Sequence, residues 1–324
     1  MATPTLNPHW ATLYNYLSNL TPQLNKNLEL AVRDIGSQKR YSWMFDVCRF
    51  ESHIGQWKNT WVDAGQIEPI RAREEGKVTP AIQLPDAFTA EMQTALWGDH
   101  FPITDEFIFY AQKKLQLIPD IDTYVTKFAE GILKRQADMI ANIYLDAFTG
   151  ATYLGSDGKA LCASAHTFNH GESALSNAFV TPLSVASLTE MRDNTRVWVD
   201  SDGQPLMMNY DTLIIGPSLE DAAAVIMESR FVPGSGNNDI NPHFGRYNIV
   251  TVPWLDELVA TGAGAFHFLL DSSQHTIEMH ITRDPTIEFL ANPYNKDMRY
   301  ERKADFNADW YASRGIAGST GTGS

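Results

Sequence analysis

A long amphipathic segment between residues 121 and 148 constrains the fold more than any other feature of this sequence. Its apolar residues recur at intervals of three, four or seven positions and form one stripe along a helix: Ile121, Val125, Phe128, Ile132, Met139 and Ile143. Pro119 and Asp120 supply a start signal, and Thr149 and Gly150 supply a stop signal. Such a helix would be about 40 Å long, well above the mean for globular proteins, and would span a whole domain.

Residues 62–108, in front of this helix, have an extended pattern. Scattered apolar residues are mixed with polar ones and with Pro69, Pro80 and Pro85, and a charged run occupies 71–77. A charged turn between two extended stretches predicts a long, protruding β-hairpin with irregular or edge strands. A connection of this length is uncommon in a compact domain and is usually functional.

The first 61 residues predict two brief helices, around 13–20 and 28–32, which Thr21 and Pro22 separate. Large aromatic side chains then crowd into a short stretch: Trp43, Phe45, Phe50, Trp57 and Trp61. This density is typical of an arm that docks on a larger surface, and equally of ordinary core. The sequence leaves both interpretations open.

Residues 181–282 alternate between helix and strand patterns, which predicts a compact α/β domain. Ser187 and Glu190 form a predicted capping box at the start of one helix, and Ser218 precedes another. The elements expected after these caps are a strand at 213–215, a helix at 219–228, a strand at 249–252 and a hairpin of 265–270 with 275–282.

The C-terminal part predicts two further strands, at 287–290 and 298–306. Residues 315–324 are rich in glycine, serine and threonine and contain few apolar side chains. We expect this end of the chain to be too polar to be ordered by itself.

Composition and charge limit the classes of function. The 324 residues suffice for two modest domains or one large domain, and the 44% hydrophobic content is typical of a soluble globular protein. A formal net charge of -14 argues against a broad basic face that grips DNA or RNA, although a protein that encloses nucleic acid without gripping it is compatible. No apolar run is long enough for a membrane span and no secretory signal is recognisable, so we expect no membrane partner and synthesis in a cytoplasm. Cys48 and Cys162 are expected to be free thiols in a reducing compartment.

No pattern in the sequence selects a catalytic or cofactor site. His166 and His170 have the spacing of two metal ligands on a helix, but the glutamate of a zinc protease motif is missing and Gly171 disfavours a helix. The glycine-rich residues 234–238 follow a helix instead of opening one, so they do not form a phosphate-binding loop. We therefore predict a protein that is not an enzyme, with no catalytic, cofactor-binding or metal-binding residue.

A succession of short motifs begins at residue 158. It consists of Gly158-Lys159-Ala160-Leu161, Ala165-His166-Thr167-Phe168, Leu175-Ser176-Asn177, Pro182-Leu183-Ser184, Asp202-Gly203-Gln204-Pro205-Leu206, Tyr210-Asp211-Thr212-Leu213-Ile214-Ile215-Gly216-Pro217, Leu219-Glu220-Asp221-Ala222-Ala223, Asn241-Pro242 and Val252-Pro253-Trp254-Leu255. The late segment 300–307 belongs to the same pattern. In order and spacing, this succession resembles the Mu-like major head subunit family of tailed-bacteriophage capsid proteins.

The resemblance implies an α+β structure, the Hong Kong 97-type capsid fold. Its parts would be the N-arm (1–61), the extended E-loop hairpin (62–108), the peripheral P-domain (109–180) with its spine helix (121–148), the axial A-domain (181–282), strands returning to the P-domain (283–310) and a C-terminal tail (311–324).

The function that the resemblance implies is that of a major capsid protein. Its subunits would form hexamers and pentamers of an icosahedral shell around double-stranded DNA, without specific DNA binding. We expect a separate scaffolding protein and a portal as partners, assembly in the host cytoplasm and a final place in the virion, and we leave a decoration protein open. Candidate inter-subunit contacts are Trp43, Phe50, Trp57, Trp61, Arg71, Arg73, Glu74, Glu75 and Lys77. We expect no covalent crosslink at Lys77.

Three alternatives remain. The first has the same fold and forms an encapsulin-like compartment for cargo enzymes. The second is a cytoplasmic metal-dependent hydrolase that uses His166 and His170. The third, a tail or scaffolding protein, is disfavoured because scaffolding proteins tend to be dominated by helix.

Overall fold

The computed structural model describes residues 8–63, 88–103, 117–167, 175–199, 205–234, 236, 239–260, 262, 264–292 and 297–323. The helices are α1 (Pro8–Gly36), α2 (Lys39–Val47), α3 (Leu117–Leu145), α4 (Val185–Arg196), α5 (Glu220–Glu228) and α6 (Asp256–Ala260). The strands are β1 (Arg49–Ser52), β2 (Lys58–Asp63), β3 (Phe88–Gln93), β4 (Ala95–Ile103), β5 (Ala178–Phe179), β6 (Thr212–Ile215), β7 (Asn248–Thr251), β8 (His267–Leu270), β9 (Glu278–Asn292), β10 (Asp297–Asp309) and β11 (Ile316–Ser319). Helices and separate sheets are mixed along the chain, which confirms the predicted α+β class.

The predicted long helix is present as α3, and it begins and ends slightly earlier than expected. Its buried stripe consists of Val125, Ala129, Ile132, Leu133, Ala137, Ile140, Ala141 and Tyr144, and this stripe packs mainly against α1 and β10. The Tyr144 hydroxyl donates to the carbonyl of Val47 at 2.8 Å and so ties the end of α3 to the end of α2. The Asp146 carboxylate accepts backbone N–H groups from residues 151–153, which turns the chain away from the helix. Within the described ranges, no helix is long and apolar enough to cross a lipid bilayer.

The prediction of two brief helices before residue 36 is wrong, because α1 is one continuous helix with Pro22 inside it. An interior proline costs a helix about 3 kcal/mol. Against this, α1 buries Leu24, Leu28 and Ile35, and each buried aliphatic side chain contributes about 1.5–3 kcal/mol. The Asn25 side chain also exchanges two hydrogen bonds with the backbone of Ile287 in β9. Packing against α3 and β9 therefore outweighs the local break signal.

A four-stranded sheet in the order β1-β9-β10-β4 lies beside α1 and α3. The two late strands predicted at 287–290 and 298–306 are confirmed as parts of β9 and β10, which pair antiparallel along almost their whole length. β1 joins the other edge of β9 in parallel. The expected A-domain boundary at 282 lies inside β9.

The predicted hairpin of 265–270 with 275–282 is wrong. β8 pairs with β6 and β11 in a second, five-stranded sheet of order β5-β11-β8-β6-β7, whereas β9 belongs to the four-stranded sheet. Both edges of β8 are thus occupied, so no position remains for residues 278–282. The buried Asp271 carboxylate accepts the backbone N–H groups of Asn209 and Ser273 and directs the chain out of this sheet.

The expectation of an unordered C-terminus is also wrong, because residues 316–319 form β11 inside the five-stranded sheet. β11 is parallel to β5 and antiparallel to β8, and all four of its residues are buried. A Cβ atom on Gly318 would lie 2.6 Å from the ring of Phe268 and 2.7 Å from Cys162 Sγ. The absence of a side chain at Gly318 therefore allows β11 to pack closely against Phe268 and Cys162. Cys162 and Cys48 are both buried and form no disulfide.

The capping box predicted at Ser187 lies one turn too late. Ser184 is the N-cap of α4, its hydroxyl accepts the backbone N–H of Ser187, and the Ser187 hydroxyl bonds in return to the backbone N–H of Ser184. A serine therefore occupies the position that glutamate or glutamine usually holds in this motif.

Candidate assembly surface

The base of the predicted hairpin is present as a two-stranded ladder. β2 and β3 pair antiparallel from Lys58 opposite Gln93 to Asp63 opposite Phe88. The predicted tip residues Arg71, Arg73, Glu74, Glu75 and Lys77 lie outside the described residues. Among those that are described, neither strand pairs with a third, and an edge strand of this kind can pair with another chain.

Contacts with β10 and the segment after it hold this base in a defined orientation. The Trp61 ring stacks on Tyr311 with the ring centres 5.3 Å apart. The Asn307 side chain donates to the carbonyl of Gln93 at 2.8 Å, and the buried Thr94 N–H donates to the carbonyl of Trp57 at 3.1 Å. These contacts fix the position of the hairpin base relative to β10.

The predicted contact residues separate into two groups. Trp43 is buried in the core of its own chain, where it packs against Trp254 with ring centres 5.6 Å apart, so it has almost no surface for a neighbour. Phe50 is half-buried against Phe45, and Trp61 is half-buried in its stack. Trp57 is exposed over half of its surface. The structure thus does not bring the four aromatic candidates together on one face.

Sequence reasoning missed three exposed aliphatic residues near Trp57. Ile54 precedes β2, Val62 lies in β2 and Leu96 lies in β4, and each is more than half exposed. Isolated aliphatic residues in polar segments have no periodicity that would select them.

A groove of about 1010 Å³ lies between α1, α3 and β9. Phe45 and Phe50 lie on its apolar side, and Lys26, Glu29 and Arg33 of α1 are among its charged lining residues. Phe50 therefore has an exposed face despite its contact with Phe45.

His166 is a buried structural residue. Its Nδ1 atom lies 2.7 Å from Asp157 Oδ2, and its backbone bonds to that of Leu175 in both directions. Burial by itself would raise the pKa of Asp157, but the hydrogen bond and charge of His166 lower it overall. Among the described residues, no group of three metal-ligating side chains includes His166. His170 lies outside the described residues.

Comparisons with known proteins agree with this architecture. A family model described as phage capsid protein matches residues 89–320. The capsid asymmetric unit of cyanophage A-1(L) superimposes with a TM-score of 0.54 at 10% identity, covering 86% of this chain and 92% of that chain. The capsid of Myoviridae phage XM1 gives 0.47 at 11% identity, covering 86% and 91%, and a virus-like particle from Pyrococcus furiosus gives 0.43 at 10%, covering 92% and 98%. No curated protein matches the sequence.

Proposed function

This chain belongs to the phage capsid protein family, and we propose that it is the major capsid subunit of a Mu-like tailed phage, which assembles as hexamers and pentamers around double-stranded DNA. The family match and the fold make it a structural shell protein and virion component with the Hong Kong 97-type fold. The sequence motifs between residues 158 and 255 support the Mu-like assignment.

The observation that carries the proposal is the two-stranded β2–β3 ladder, which has no third strand within the described part of the chain. Unpaired strand edges are a liability in a monomer and gain partners when a neighbour lies along them. The exposed Trp57, directly in front of β2, would be buried by such a contact. Obligate interfaces of this kind typically bury ~2,000 Å² or more.

We propose that the P-domain and the A-domain each contain one of the two larger sheets. We assign α3 and the four-stranded sheet to the P-domain, and the five-stranded sheet with α4, α5 and α6 to the A-domain. β11 then belongs to the A-domain instead of a free tail. α1 shares a core with α3, so only part of the proposed N-arm is available to reach a neighbour.

The shell would enclose DNA without binding its phosphates through a broad basic surface. The net charge of -14 repels a packed polyanion and gives no broad basic face for phosphate contacts. A scaffolding protein, a portal and assembly in the host cytoplasm belong to the same proposal. Particles from the natural source should contain double-stranded DNA, whereas an enclosed enzyme without DNA would favour the encapsulin-like alternative.

The contact surface is tested by Trp57→Ala with Phe231→Ala as the control, because the two aromatic side chains are equally exposed and Phe231 follows α5, in the part assigned to the A-domain. We expect Trp57→Ala to reduce the yield of shells in a sedimentation assay while the melting temperature of the subunit stays unchanged. Phe231→Ala should assemble better than Trp57→Ala. A normal yield of shells from Trp57→Ala would show that the hairpin base is not part of the inter-subunit interface. A single subunit-sized band on a denaturing gel is expected for a shell without crosslinks.

A further inference from the structure

Two paired strands place three metal-binding side chains together at the point where the hairpin base leaves the four-stranded sheet. β1 runs parallel to β9, with Arg49 opposite Glu278 and Glu51 opposite His280. Residues two apart in an extended chain share a face. Glu51 and His53 consequently lie on the same side of β1 and its extension, next to Glu278.

The spacing of the three side chains suits a shared cation. One ligand atom from each of Glu51, His53 and Glu278 lies within 4.8 Å of the others. His53 Nε2 and Glu278 Oε1 are 3.5 Å apart, which is long for an N–H···O hydrogen bond. Two atoms bound about 2.1 Å from one tetrahedral ion are about 3.4 Å apart. We propose that Glu51, His53 and Glu278 bind one divalent transition-metal ion of the Zn²⁺ class.

The charge balance of the cluster favours a cation. Glu278 is only 9% exposed, so its charge is poorly screened by water, unlike that of an ordinary surface carboxylate. Among the residues that the structure describes, His53 is the one basic side chain in an ion pair with either glutamate. The nearby Arg49 guanidinium donates instead to the carbonyls of residues 272 and 273. A bound ion would supply the positive charge that these carboxylates lack.

Neighbouring side chains hold two of the ligands in place. The His53 ring stacks on the buried His280 ring, with centres 4.3 Å apart and planes at 22°. The side chain of Trp61 in β2 lies close to Glu278. Such outer contacts orient the ligands in protein metal sites. An ion here would join β1 to β9 and, through Trp61, would stiffen the start of the hairpin.

The ligand set indicates which ions bind. An imidazole nitrogen with two carboxylates suits Zn²⁺, whereas Ca²⁺ and Mg²⁺ prefer sites made of oxygen atoms only. Glu51 is exposed, so an ion can enter from solvent and water can complete its coordination.

The test titrates ZnCl₂ into the full-length, EDTA-treated and dialysed protein by calorimetry, with circular dichroism to confirm folding. We expect one Zn²⁺ per subunit and at least about tenfold weaker binding in His53→Gln and in Glu51→Gln. His100→Gln replaces an exposed histidine of β4 and should bind like the wild type. CaCl₂ should give no stoichiometric binding. The proposal is overturned by absent Zn²⁺ binding in the wild type, by unchanged affinity in either ligand variant, or by Ca²⁺ binding as tight as that of Zn²⁺.

Discussion

Acidification from pH 7.5 to pH 5.0 should destabilise the folded subunit through two buried histidines. Burial lowers the pKa of His267 to about 4, and burial together with the charge of Arg49 lowers that of His275 to about 4. An unfolded histidine titrates near 6.5. The unfolded chain therefore binds more protons below pH 6.5, and stability falls from there until the folded pKa near 4 is reached.

The size of the effect follows from these pKa values. At pH 5.0, a histidine with pKa values of about 4 folded and 6.5 unfolded loses about 2 kcal/mol of stability, so the pair loses about 4 kcal/mol. Asp309 acts in the opposite direction, because burial raises its pKa to about 6 and protonation relieves a buried charge. That relief contributes about 1.4 kcal/mol at pH 5.0. The net loss from these three groups is about 2.5 kcal/mol. The buried His243, whose pKa burial also lowers to about 4, adds to the loss in the same direction.

Urea denaturation of the unassembled subunit at the two pH values measures this loss. His267→Gln removes one titrating group and should reduce the pH-dependent loss by about 2 kcal/mol, even if the variant is less stable at both pH values. His100→Gln, at an exposed position, should keep the full loss. The reasoning would be refuted by an equal free energy of unfolding at pH 7.5 and pH 5.0, or by a His267→Gln variant with the full wild-type loss.

Three further changes test the packing of the fold. Gly318→Ala should lower the free energy of unfolding in urea by about 1–3 kcal/mol, because the new Cβ meets two buried side chains. Gly236→Ala places its Cβ in open space and should be close to neutral. Equal losses in the two variants would contradict the packing of β11. Tyr144→Phe leaves the buried carbonyl of Val47 without its donor and should cost about 1–3 kcal/mol, and an unchanged unfolding midpoint would count against that bond. Asn25→Ala should speed hydrogen exchange in β9 at its contact with α1, and unaltered exchange there would show that the bond pair does not anchor the helix.

The elements that the sequence predicted well are those whose signals are local. The period of α3 runs through the whole helix, and the apolar run of β6 lies within a few residues. The cap predicted at Ser218 is wrong, because Leu219 is the N-cap of α5 without a side-chain cap bond, and the Ser218 hydroxyl donates to the carboxylate of Asp256 instead. The break expected at Pro22 failed because contacts with distant elements outweigh one lost hydrogen bond.

The errors at residues 265–282 and 316–319 have a common physical cause. Strand partners far apart in sequence decided both cases, since β8 pairs with β6 and β11 instead of the next strand along the chain. Glycine is common both in flexible tails and where two layers pack closely, so the presence of Gly318 in the sequence does not distinguish the two.

The candidate surface was predictable as a segment and not residue by residue. The aromatic pattern indicated residues 43–61, but it could not distinguish the buried Trp43 from the exposed Trp57, because exposure depends on where α2 packs. The Glu51, His53 and Glu278 cluster was beyond sequence reasoning, since its members come from strands more than 200 residues apart.

Electron microscopy of the purified protein under assembly conditions shows whether the subunit builds a capsid shell. We expect closed icosahedral shells in which six-fold and five-fold clusters of subunits are resolved, with the β2–β3 hairpin of each subunit lying against a neighbour. A protein that stays strictly monomeric and monodisperse under every assembly condition would contradict this expectation.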